Sequence, residues 1–188
     1  MRRTLYRLLA LASLAALFAL PAGAEGAYYG SHPADDVYQV QTSRHTCTLI
    51  ACTMMLRNFS SLRGSPYIQV TETGVGRYGW IQGVGLSHSF TIGGVTVGMS
   101  ADIRSARDRK EYLIRALEAH PEGVVIYDTG APHAVWLFGY DADSDTFYCA
   151  DTYEGKGGKG IPLAESSIRG ATQQDKVNTI DRIWYIEE

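Results

Sequence analysis

Hydrophobic residues recur every three or four positions in the segment that follows Cys47, and no Pro or Gly interrupts it up to Asn58. This spacing predicts a buried helix of about three turns. A polar loop precedes the helix, and Thr46 is suited to the N-cap position. Cys47 is therefore expected in the first helical turn. The predicted buried face consists of Leu49, Cys52, Met55 and Leu56.

A second, more highly charged helix is predicted within the range Asp102 to Ala119. Its solvated face spans Arg107 to Glu111, and the sequence His120-Pro121-Glu122-Gly123 is expected to end it. The apolar stripe of this helix consists of Leu113, Ile114 and Leu117.

Short runs of β-branched and aromatic residues replace the helical spacing from Gly123 onward, and such runs are typical of strands. Asp141 to Asp145 supplies the polar residues of a turn between two of the runs. Helices first and an antiparallel sheet afterwards indicate the α+β class. The four predicted strands are Gly123 to Tyr127, His133 to Tyr140, Thr146 to Ala150 and Arg182 to Ile186.

The region between the two predicted helices is rich in glycine, with eight glycines from Gly74 to Gly98. A phosphate-binding loop would require a strand-to-helix context and a following Lys-Ser/Thr, neither of which the sequence provides. Turns and short strands are predicted instead, with a hairpin from Thr91 to Val97. His88 is expected to be a surface or core histidine. The aromatic and glycine-rich stretch from Tyr78 to Phe90 is a candidate wall of a substrate site.

The first 24 residues have the features of a secretory signal peptide. Basic residues open the chain, an apolar run spans Leu8 to Leu20, and Ala22-Gly23-Ala24 provides a small-residue cleavage site. The apolar run is shorter than the roughly 20 residues that a membrane-spanning helix needs. Residues 1–24 are therefore predicted to be cleaved, which leaves residues 25–188 as a single domain secreted to the periplasm or the extracellular space. An uncleaved anchor is the alternative.

The predicted mature chain is acidic. Three of the 17 basic residues lie in the signal peptide, which leaves 14 basic against 20 acidic residues. The chain has no basic run with interleaved aromatics, so nucleic acid is not expected as a partner. No cofactor or metal is expected, because His45 and Cys47 alone are too few ligands. A monomer without stable membrane insertion is predicted.

A cysteine in the first turn of a helix is a candidate nucleophile. Unpaired N–H groups and the positive end of the helix dipole favour a thiolate there, and the thiolate is the reactive form. Gln41 lies six residues upstream of Cys47, and its amide could donate beside the backbone N–H of Cys47 to form an oxyanion hole. An isolated cysteine is otherwise a small buried hydrophobe, so this hypothesis requires a histidine elsewhere in the chain.

His133 is the candidate for that histidine, with Asp151 as its partner. His133 opens one predicted strand, and Asp151 follows the next strand of the same hairpin. The start of one strand lies opposite the end of its antiparallel neighbour, so the two side chains are expected to be close, within a residue or two of register. Thiol-based acyl transfer requires a histidine that takes the thiol proton and a carboxylate that orients this histidine. Taken singly, His133 could be a hydrogen-bonding histidine and Asp151 a turn residue.

The order and contexts of these residues resemble the papain-like cysteine peptidases, and more closely the branch similar to bacterial double-glycine leader peptidases, which process bacteriocins. In that family a Gln precedes the nucleophilic Cys by six residues and the Cys begins a buried helix. A His opens a strand, and an Asp or Asn follows the next strand. The matching segments are Gln41 with Cys47-Thr48-Leu49-Ile50-Ala51, then His133-Ala134-Val135-Trp136-Leu137-Phe138-Gly139-Tyr140-Asp141, and Tyr148-Cys149-Ala150-Asp151.

The resemblance implies a papain-like fold, in which N-terminal helices pack on a C-terminal antiparallel β-sheet. It implies that Cys47 is the nucleophile, His133 the general base and acid, Asp151 the orienting carboxylate and Gln41 the oxyanion donor. The expected function is that of an exported cysteine peptidase that cleaves amide bonds of a peptide or protein substrate without a cofactor.

The chain departs from the family pattern at two positions. Thr48 stands where Gly often follows the nucleophile, and Thr152 stands where Pro often follows the Asp. The side chain of Thr48 could narrow the approach of a substrate to the thiol. Two other functions therefore stay open: a non-catalytic binding or effector domain, and a cell-wall peptide amidohydrolase with a Cys-His site.

The remaining cysteines are expected to lie away from the nucleophile. Cys52 lies about 140° around the helix from Cys47. Cys52 and Cys149 could form a disulfide that ties the helix to the sheet, or both could be buried thiols.

Overall fold

A computed structural model of the chain describes residues 26–41, 43, 45–64, 70–82, 84–100, 103–153 and 158–187. The predicted signal peptide lies outside the described residues. The described part of the chain is a mixed α+β structure in which helices pack on an antiparallel sheet, which confirms the predicted class. No helix within these ranges combines the length and the apolar composition that a membrane crossing requires.

Four α-helices, ten β-strands and three 3-10 turns make up the described residues. The helices are α1 (Cys47–Leu62), α2 (Glu72–Tyr78), α3 (Arg109–Ala119) and α4 (Gln173–Thr179). The first five strands are β1 (Tyr28–Gly30), β2 (Trp80–Ile81), β3 (Gly85–Leu86), β4 (Ser89–Ile92) and β5 (Val95–Ser100). The others are β6 (Val124–Asp128), β7 (His133–Asp141), β8 (Thr146–Asp151), β9 (Ile161–Pro162) and β10 (Arg182–Glu187). The 3-10 turns are Asp35–Val37, Ile103–Ser105 and Leu163–Glu165.

Eight strands form one antiparallel sheet in the order β4-β5-β10-β6-β7-β8-β9, and β1 pairs with one end of β7. Strands β2 and β3 form a separate two-stranded hairpin. The sheet thus includes β1, β4 and β5 from the first half of the chain, and α4 lies in the second half. The predicted succession of helices followed by a sheet is therefore too simple, although each of the four predicted strands is present.

The sheet is buried on both faces. Helix α1 packs on the face formed by Ala134, Trp136 and Phe138, and α3 and α4 contribute to the core on the face of Val135 and Leu137. Burying a side chain the size of Leu or Val on either face contributes about 1.5–3 kcal/mol. Because both faces are covered, β6 and β7 read as continuous apolar runs rather than as alternating ones.

Helix α1 begins at Cys47, as the apolar spacing predicts, and it continues past Asn58 to Leu62. The predicted stripe is buried, but so are Ile50, Ala51 and Met54 on the other sides of the helix. Because the helix is buried on all sides, apolar residues occur around its whole circumference and not only along one stripe. The helix accordingly lies in the middle of one core layer.

The glycine-rich region is only partly as predicted. The hairpin is confirmed as β4 and β5, joined at Gly93 and Gly94, whose φ angles of 57° and 82° suit a two-residue turn. The preceding segment forms α2 rather than turns and short strands, which corrects the prediction. The Thr71 hydroxyl accepts a hydrogen bond from the Gly74 N–H, and Val75 is completely buried. Capping and tertiary packing thus outweigh the low helix propensity of glycine.

The β7–β8 hairpin contains an irregularity that decides which side chains share a face. Gly139 pairs with Tyr148, but the next pair is Leu137 with Cys149, so β7 has one extra residue, Phe138, at this point. Beyond this bulge, every residue of β8 is shifted by one position relative to a regular ladder.

The segment before α1 packs through its aromatic side chains. Strand β1 pairs with the end of β7 that is farthest from His133. Farther along, the Tyr38 ring lies 6.1 Å from the Trp136 ring and 5.9 Å from the Phe138 ring, measured between centroids. These contacts anchor the segment to the α1 face of the sheet.

Candidate active site

Cys47 is the first residue of α1, at the point where the helix meets the ends of β6 and β7. Thr46 occupies the N-cap position, and its carbonyl accepts the first helical hydrogen bond from the Ile50 N–H at 3.0 Å. This position is the one predicted for Thr46, although its hydroxyl donates to the Ser43 carbonyl instead of accepting a hydrogen bond from the helix. The Thr46 side chain therefore does not compete for the N–H groups of the first turn.

His133 is the first residue of β7 and follows a turn that two buried carboxylates hold. Asp128 accepts a 2.8 Å hydrogen bond from the Gly130 N–H and forms an ion pair with Arg169. Asp181 accepts from the backbone N–H and the hydroxyl of Thr129. These bonds fix the chain immediately before the histidine.

Asp151 accepts hydrogen bonds from three donors. Its Oδ1 lies 2.9 Å from Nε2 of His133 and 3.0 Å from the Tyr153 N–H, and its Oδ2 accepts from the Ser167 N–H. The carboxylate is completely buried. Each of these bonds stabilises the ionised form, so the group is held as an anion. The predicted proximity of His133 and Asp151 is thus present in the structure.

The bulge in β7 makes this contact possible. Asp151 pairs with Val135, which lies two residues from His133 and therefore on the same face of the sheet. In a regular ladder Asp151 would pair with Trp136, whose side chain lies on the opposite face. The hairpin connection brings His133 and Asp151 near each other, and the extra residue in β7 places their side chains on the same face of the sheet.

The imidazole of His133 also forms a hydrogen bond with Cys47. Since Nε2 is bonded to Asp151, Nδ1 is the ring nitrogen left for the sulfur. The backbone N–H groups of Ala134 and Thr48 also donate to the sulfur of Cys47. Cys47, His133 and Asp151 therefore form one continuous row of hydrogen-bonded side chains.

The protonation states within this row depend on one another. Burial alone would raise the pKa of the Cys47 thiol, but the hydrogen bond and charge of His133 lower the pKa below its ordinary value. Burial would likewise lower the pKa of His133, but Asp151 and Cys47 raise it to about 9. For Asp151, His133 and the two N–H donors outweigh burial and lower the pKa to about 2. The arrangement favours a thiolate, an imidazolium and a carboxylate at neutral pH.

Gln41 lies beside the row, next to Thr152, and its observed hydrogen bonds go to residues other than Cys47. Its amide Nε2 donates to the Ser43 carbonyl at 2.5 Å, and its Oε1 accepts from the Thr152 hydroxyl at 3.1 Å. Its backbone N–H donates to the Thr152 carbonyl. An amide nitrogen has a second hydrogen, so donation to an oxyanion is chemically open to it and stays a prediction.

The two departures from the family pattern have definite positions. Thr152 is completely buried and holds Gln41, next to Asp151. Thr48 is 5% exposed and lines the cavity beside Cys47, where its hydroxyl faces Gly85 of β3. Thr48 is thus part of the cavity wall, as the expected narrowing near the thiol requires.

A cavity of about 460 Å³ opens beside the sulfur of Cys47. One side is formed by the sheet, through Tyr127, Arg182 and Trp184. The opposite side is the β2–β3 hairpin with Ile81 and Val84, so the candidate wall within the stretch from Tyr78 to Phe90 does line the cavity. His88 is exposed and also lines it, which the sequence did not indicate.

Sequence reasoning missed Tyr127, Arg182 and Trp184 as site residues. Tyr127 and Arg182 are direct partners across β6 and β10, and Tyr127 is also the partner of Ala134 on β7. The sequence shows all three as ordinary strand residues. Only the order of strands in the sheet places β10 beside β6, and no local pattern encodes that order.

The other two cysteines are buried, and none of the three cysteines forms a disulfide. Of the two alternatives for Cys52 and Cys149, the structure therefore has the buried thiols and not the disulfide. Burial raises the pKa of Cys52 far above its ordinary value, so this thiol is unreactive. Within the described residues, no three His, Cys, Asp or Glu side chains are grouped so that they could hold a metal ion.

Comparison of the chain with models of protein families, with curated proteins and with solved structures finds no significant match.

Proposed function

We propose that this protein is an exported cysteine peptidase with a papain-like fold, which cleaves amide bonds of a peptide or protein substrate. The proposal rests above all on the row of hydrogen bonds from Cys47 through His133 to Asp151, whose Cys47 end borders an open cavity. A buried structural cysteine would have neither a histidine partner nor access to a cavity of this size. The short N-terminal apolar run supports export.

In the proposed reaction the thiolate of Cys47 attacks the carbonyl carbon of the scissile amide and forms a tetrahedral intermediate. The backbone N–H of Cys47 and the second amide hydrogen of Gln41 donate to the oxyanion. The imidazolium of His133 gives its Nδ1 proton to the leaving amine, and the C–N bond breaks to leave a thioester. A water molecule, deprotonated by His133, then attacks the thioester and releases the acid and the thiolate.

Asp151 acts through His133 in this scheme. Its hydrogen bond to Nε2 holds the ring so that Nδ1 faces the sulfur, and its charge stabilises the imidazolium. Two main-chain N–H groups keep the carboxylate itself in place. The proposed enzyme is a monomer that requires no cofactor.

A non-catalytic binding domain is a second candidate, because one amide hydrogen of Gln41 is donated to Ser43 rather than directed at Cys47. A binding domain would keep the cavity but would have no use for a reactive thiolate. A cell-wall peptide amidohydrolase would share the thiolate and differ in substrate, releasing peptide fragments from peptidoglycan while leaving unfolded protein uncleaved.

The rate of alkylation by iodoacetamide at each cysteine, measured by mass spectrometry from pH 4 to 9, tests the proposal. In the wild-type protein Cys47 should react fast well below pH 9, because its pKa is lowered, whereas the buried Cys52 and Cys149 should react slowly. His133→Ala removes the largest of the effects that oppose burial, so the pKa of Cys47 should rise. Its rate at pH 6 should then fall at least about tenfold, since each pKa unit changes the thiolate fraction tenfold.

His120→Ala is the matched control. His120 also lies close to a carboxylate, with Nδ1 3.5 Å from Glu122, but it lies at the end of α3. This variant should leave the profile of Cys47 unchanged. An ordinary thiol profile for Cys47 in both the wild type and His133→Ala would refute the peptidase proposal and favour the binding domain.

A further inference from the structure

Arg182 is a cation in the cavity, and it has no acidic partner among the described residues. It is partly buried at the start of β10 and lines the cavity beside Cys47. No Asp or Glu of the described chain forms an ion pair with it, although two buried carboxylates lie nearby in sequence or across the sheet. Asp128 is paired with Arg169, and Asp181 accepts from Thr129. The guanidinium is therefore available to a ligand.

The strand register places Arg182 in line with the sulfur. Arg182 pairs with Tyr127 on β6, and Tyr127 pairs with Ala134 on β7, whose backbone N–H donates to the Cys47 sulfur. Adjacent strands are about 4.8 Å apart, so the Cα atoms of Arg182 and Ala134 are roughly 10 Å apart. Arg182 and Cys47 thus line the same cavity, with the row of Tyr127 and Ala134 between them.

The face of the sheet is also defined. Residues two apart on a strand share a face, and Trp184 of β10 belongs to the core layer that contains α1. Arg182 therefore projects on the same face as the nucleophile. Burial raises the pKa of the Tyr127 hydroxyl, and the charge of Arg182 opposes that increase. Arg182 is itself one of the residues that line the cavity.

The rest of the cavity suits an aliphatic stem that ends in an anion. Ile81, Val84 and Leu86 form an apolar wall, and His45 and His88 are the other titratable side chains besides Cys47 and Tyr127 among the described lining residues. No carboxylate is among those lining residues. An uncompensated arginine at the end of an apolar pocket favours a carboxylate, which it can bind with two parallel hydrogen bonds.

We propose that Arg182 binds a carboxylate of the substrate in the residue next to the scissile amide, so that the enzyme prefers peptides with an acidic group at that position. This inference rests on the proposed function, because it treats the cavity beside Cys47 as the substrate site. It adds the chemical class of the substrate and names the residue that selects it.

A pair of alkylating reagents of nearly equal size tests the inference without a known substrate. Iodoacetate carries a carboxylate and iodoacetamide is neutral, and in both reactions the thiolate forms a C–S bond as iodide leaves. The quantity measured is the ratio of the two rate constants at Cys47, iodoacetate over iodoacetamide, at pH 7. Arg182→Gln should lower this ratio about tenfold, because the charge that attracts the carboxylate is lost. Arg182→Lys should lower it less.

Arg115→Gln is the matched control. Arg115 lies on α3, on the opposite side of the sheet, and forms an ion pair with Glu111. This variant makes the same change in net charge and should keep the wild-type ratio. The melting temperature of each variant shows that it is folded, and Arg182→Lys preserves the charge should Arg182→Gln be unstable.

The outcomes separate this inference from the proposed function. Fast reaction of Cys47 with an unchanged ratio in Arg182→Gln would overturn the carboxylate site and leave the thiolate mechanism standing. Ordinary thiol rates with a ratio that falls in Arg182→Gln would refute the peptidase and keep the cavity as a carboxylate-binding site.

Protection experiments distinguish the two sources of a carboxylate in a peptide. N-acetylglutamate α-amide carries it on the side chain, its isomer N-acetylglutamine carries it on the main chain, and N-acetylglutamine α-amide carries none. The isomer that slows alkylation of wild-type Cys47 by iodoacetamide, but not that of Arg182→Gln, identifies the source. Equal protection by the neutral amide, or no protection by either acid, would overturn the inference.

Discussion

The two walls of the cavity are built in different ways. The inner wall includes Cys47, which lies at the start of α1 and is tied by hydrogen bonds to His133 and, through it, to the buried Asp151. The outer wall is the β2–β3 hairpin, whose strands have two residues each and belong to a separate sheet. Its side chains Ile81 and Val84 are 53% and 75% exposed.

This difference suits the inner wall to the proposed chemistry and the outer wall to substrate recognition. Proton transfer between a sulfur, a ring nitrogen and a carboxylate depends on distances of about 3 Å, so the groups must be rigidly supported. An apolar surface that accommodates a substrate tolerates small shifts, because burial of apolar area is not directional. A short exposed hairpin has few buried contacts and belongs to the less stable part of a structure. Changes in the inner wall should therefore abolish turnover, and changes in the outer wall should alter affinity.

The largest effect is expected for Asp151→Ala. Removing the carboxylate leaves His133 without its orienting partner, so kcat/KM for peptide hydrolysis should fall about 10³-fold. The stability, measured by urea denaturation, should fall by about 3 kcal/mol because three partly buried donors lose their acceptor. The pKa of about 9 for His133 should move down, and with it the pH above which hydrolysis declines.

Asp151→Asn sharpens this test. The amide keeps one oxygen acceptor, but its NH₂ group would face a main-chain N–H, which costs about 1–3 kcal/mol. Its loss of activity should be smaller than that of Asp151→Ala. A hydrolysis rate for Asp151→Ala within threefold of the wild type would show that the proposed catalysis does not depend on this carboxylate.

An intermediate effect is expected at Thr152, which we regard as a positioning residue. Thr152→Val removes the hydroxyl that donates to Gln41 and keeps the side-chain shape. The kcat of hydrolysis should fall about tenfold with KM unchanged, because a mobile amide donates less well to the oxyanion. Cys47 alkylation should stay at the wild-type rate, since that reaction forms no oxyanion.

Two further variants define what Thr152 does. Gln41→Ala should lower kcat by about 10², the effect of losing one oxyanion donor, and Thr152→Val should add little to it. Thr179→Val, which removes a hydroxyl that bonds to main-chain carbonyls at the end of α4, should leave kcat unchanged. Additive effects of Gln41→Ala and Thr152→Val would contradict the positioning role.

The smallest effect on stability is expected in the outer wall. Val84→Ser should change the free energy of unfolding by less than about 0.5 kcal/mol, because the side chain is already exposed. The KM for peptide substrates should rise severalfold with little change in kcat, since apolar contact with the substrate is lost. Leu62→Ser, at the exposed end of α1, is the control and should leave KM unchanged. A large loss of kcat in Val84→Ser would show that the hairpin also supports the chemistry.

Local patterns were sufficient for the elements that carry the candidate triad. The spacing of apolar residues predicts that α1 starts at Cys47, and the hairpin rule predicts that His133 and Asp151 are close. Both inferences concern residues that are near one another in sequence or joined by one short turn. The N-cap position of Thr46 was predicted correctly, whereas the bond from its hydroxyl to the Ser43 carbonyl was not foreseen.

The same patterns failed where packing outweighs propensity. Gly74 and Gly76 oppose a helix, but a buried Val75 and a cap at Thr71 stabilise one. The bulge at Phe138 has no signal that a period-two pattern could show, because β7 is apolar on both faces. The contact of β1, β4 and β5 with later strands was missed for the same reason, since strand order is a property of the whole sheet.

The sequence by itself determined which residues have the chemistry: a cysteine at a helix start, a histidine at a strand start and an acid one strand later. These are consequences of periodicity, capping and turn residues, which act over a few positions of the chain. Tertiary structure alone decided that Asp151 shares a face with His133, because one extra residue in β7 shifts the register. It alone decided that Arg182, far along the chain, lies beside Cys47, because β10 inserts next to β6. Such long-range pairing depends on the packing energy of two complete core layers, and no short stretch of sequence contains that information.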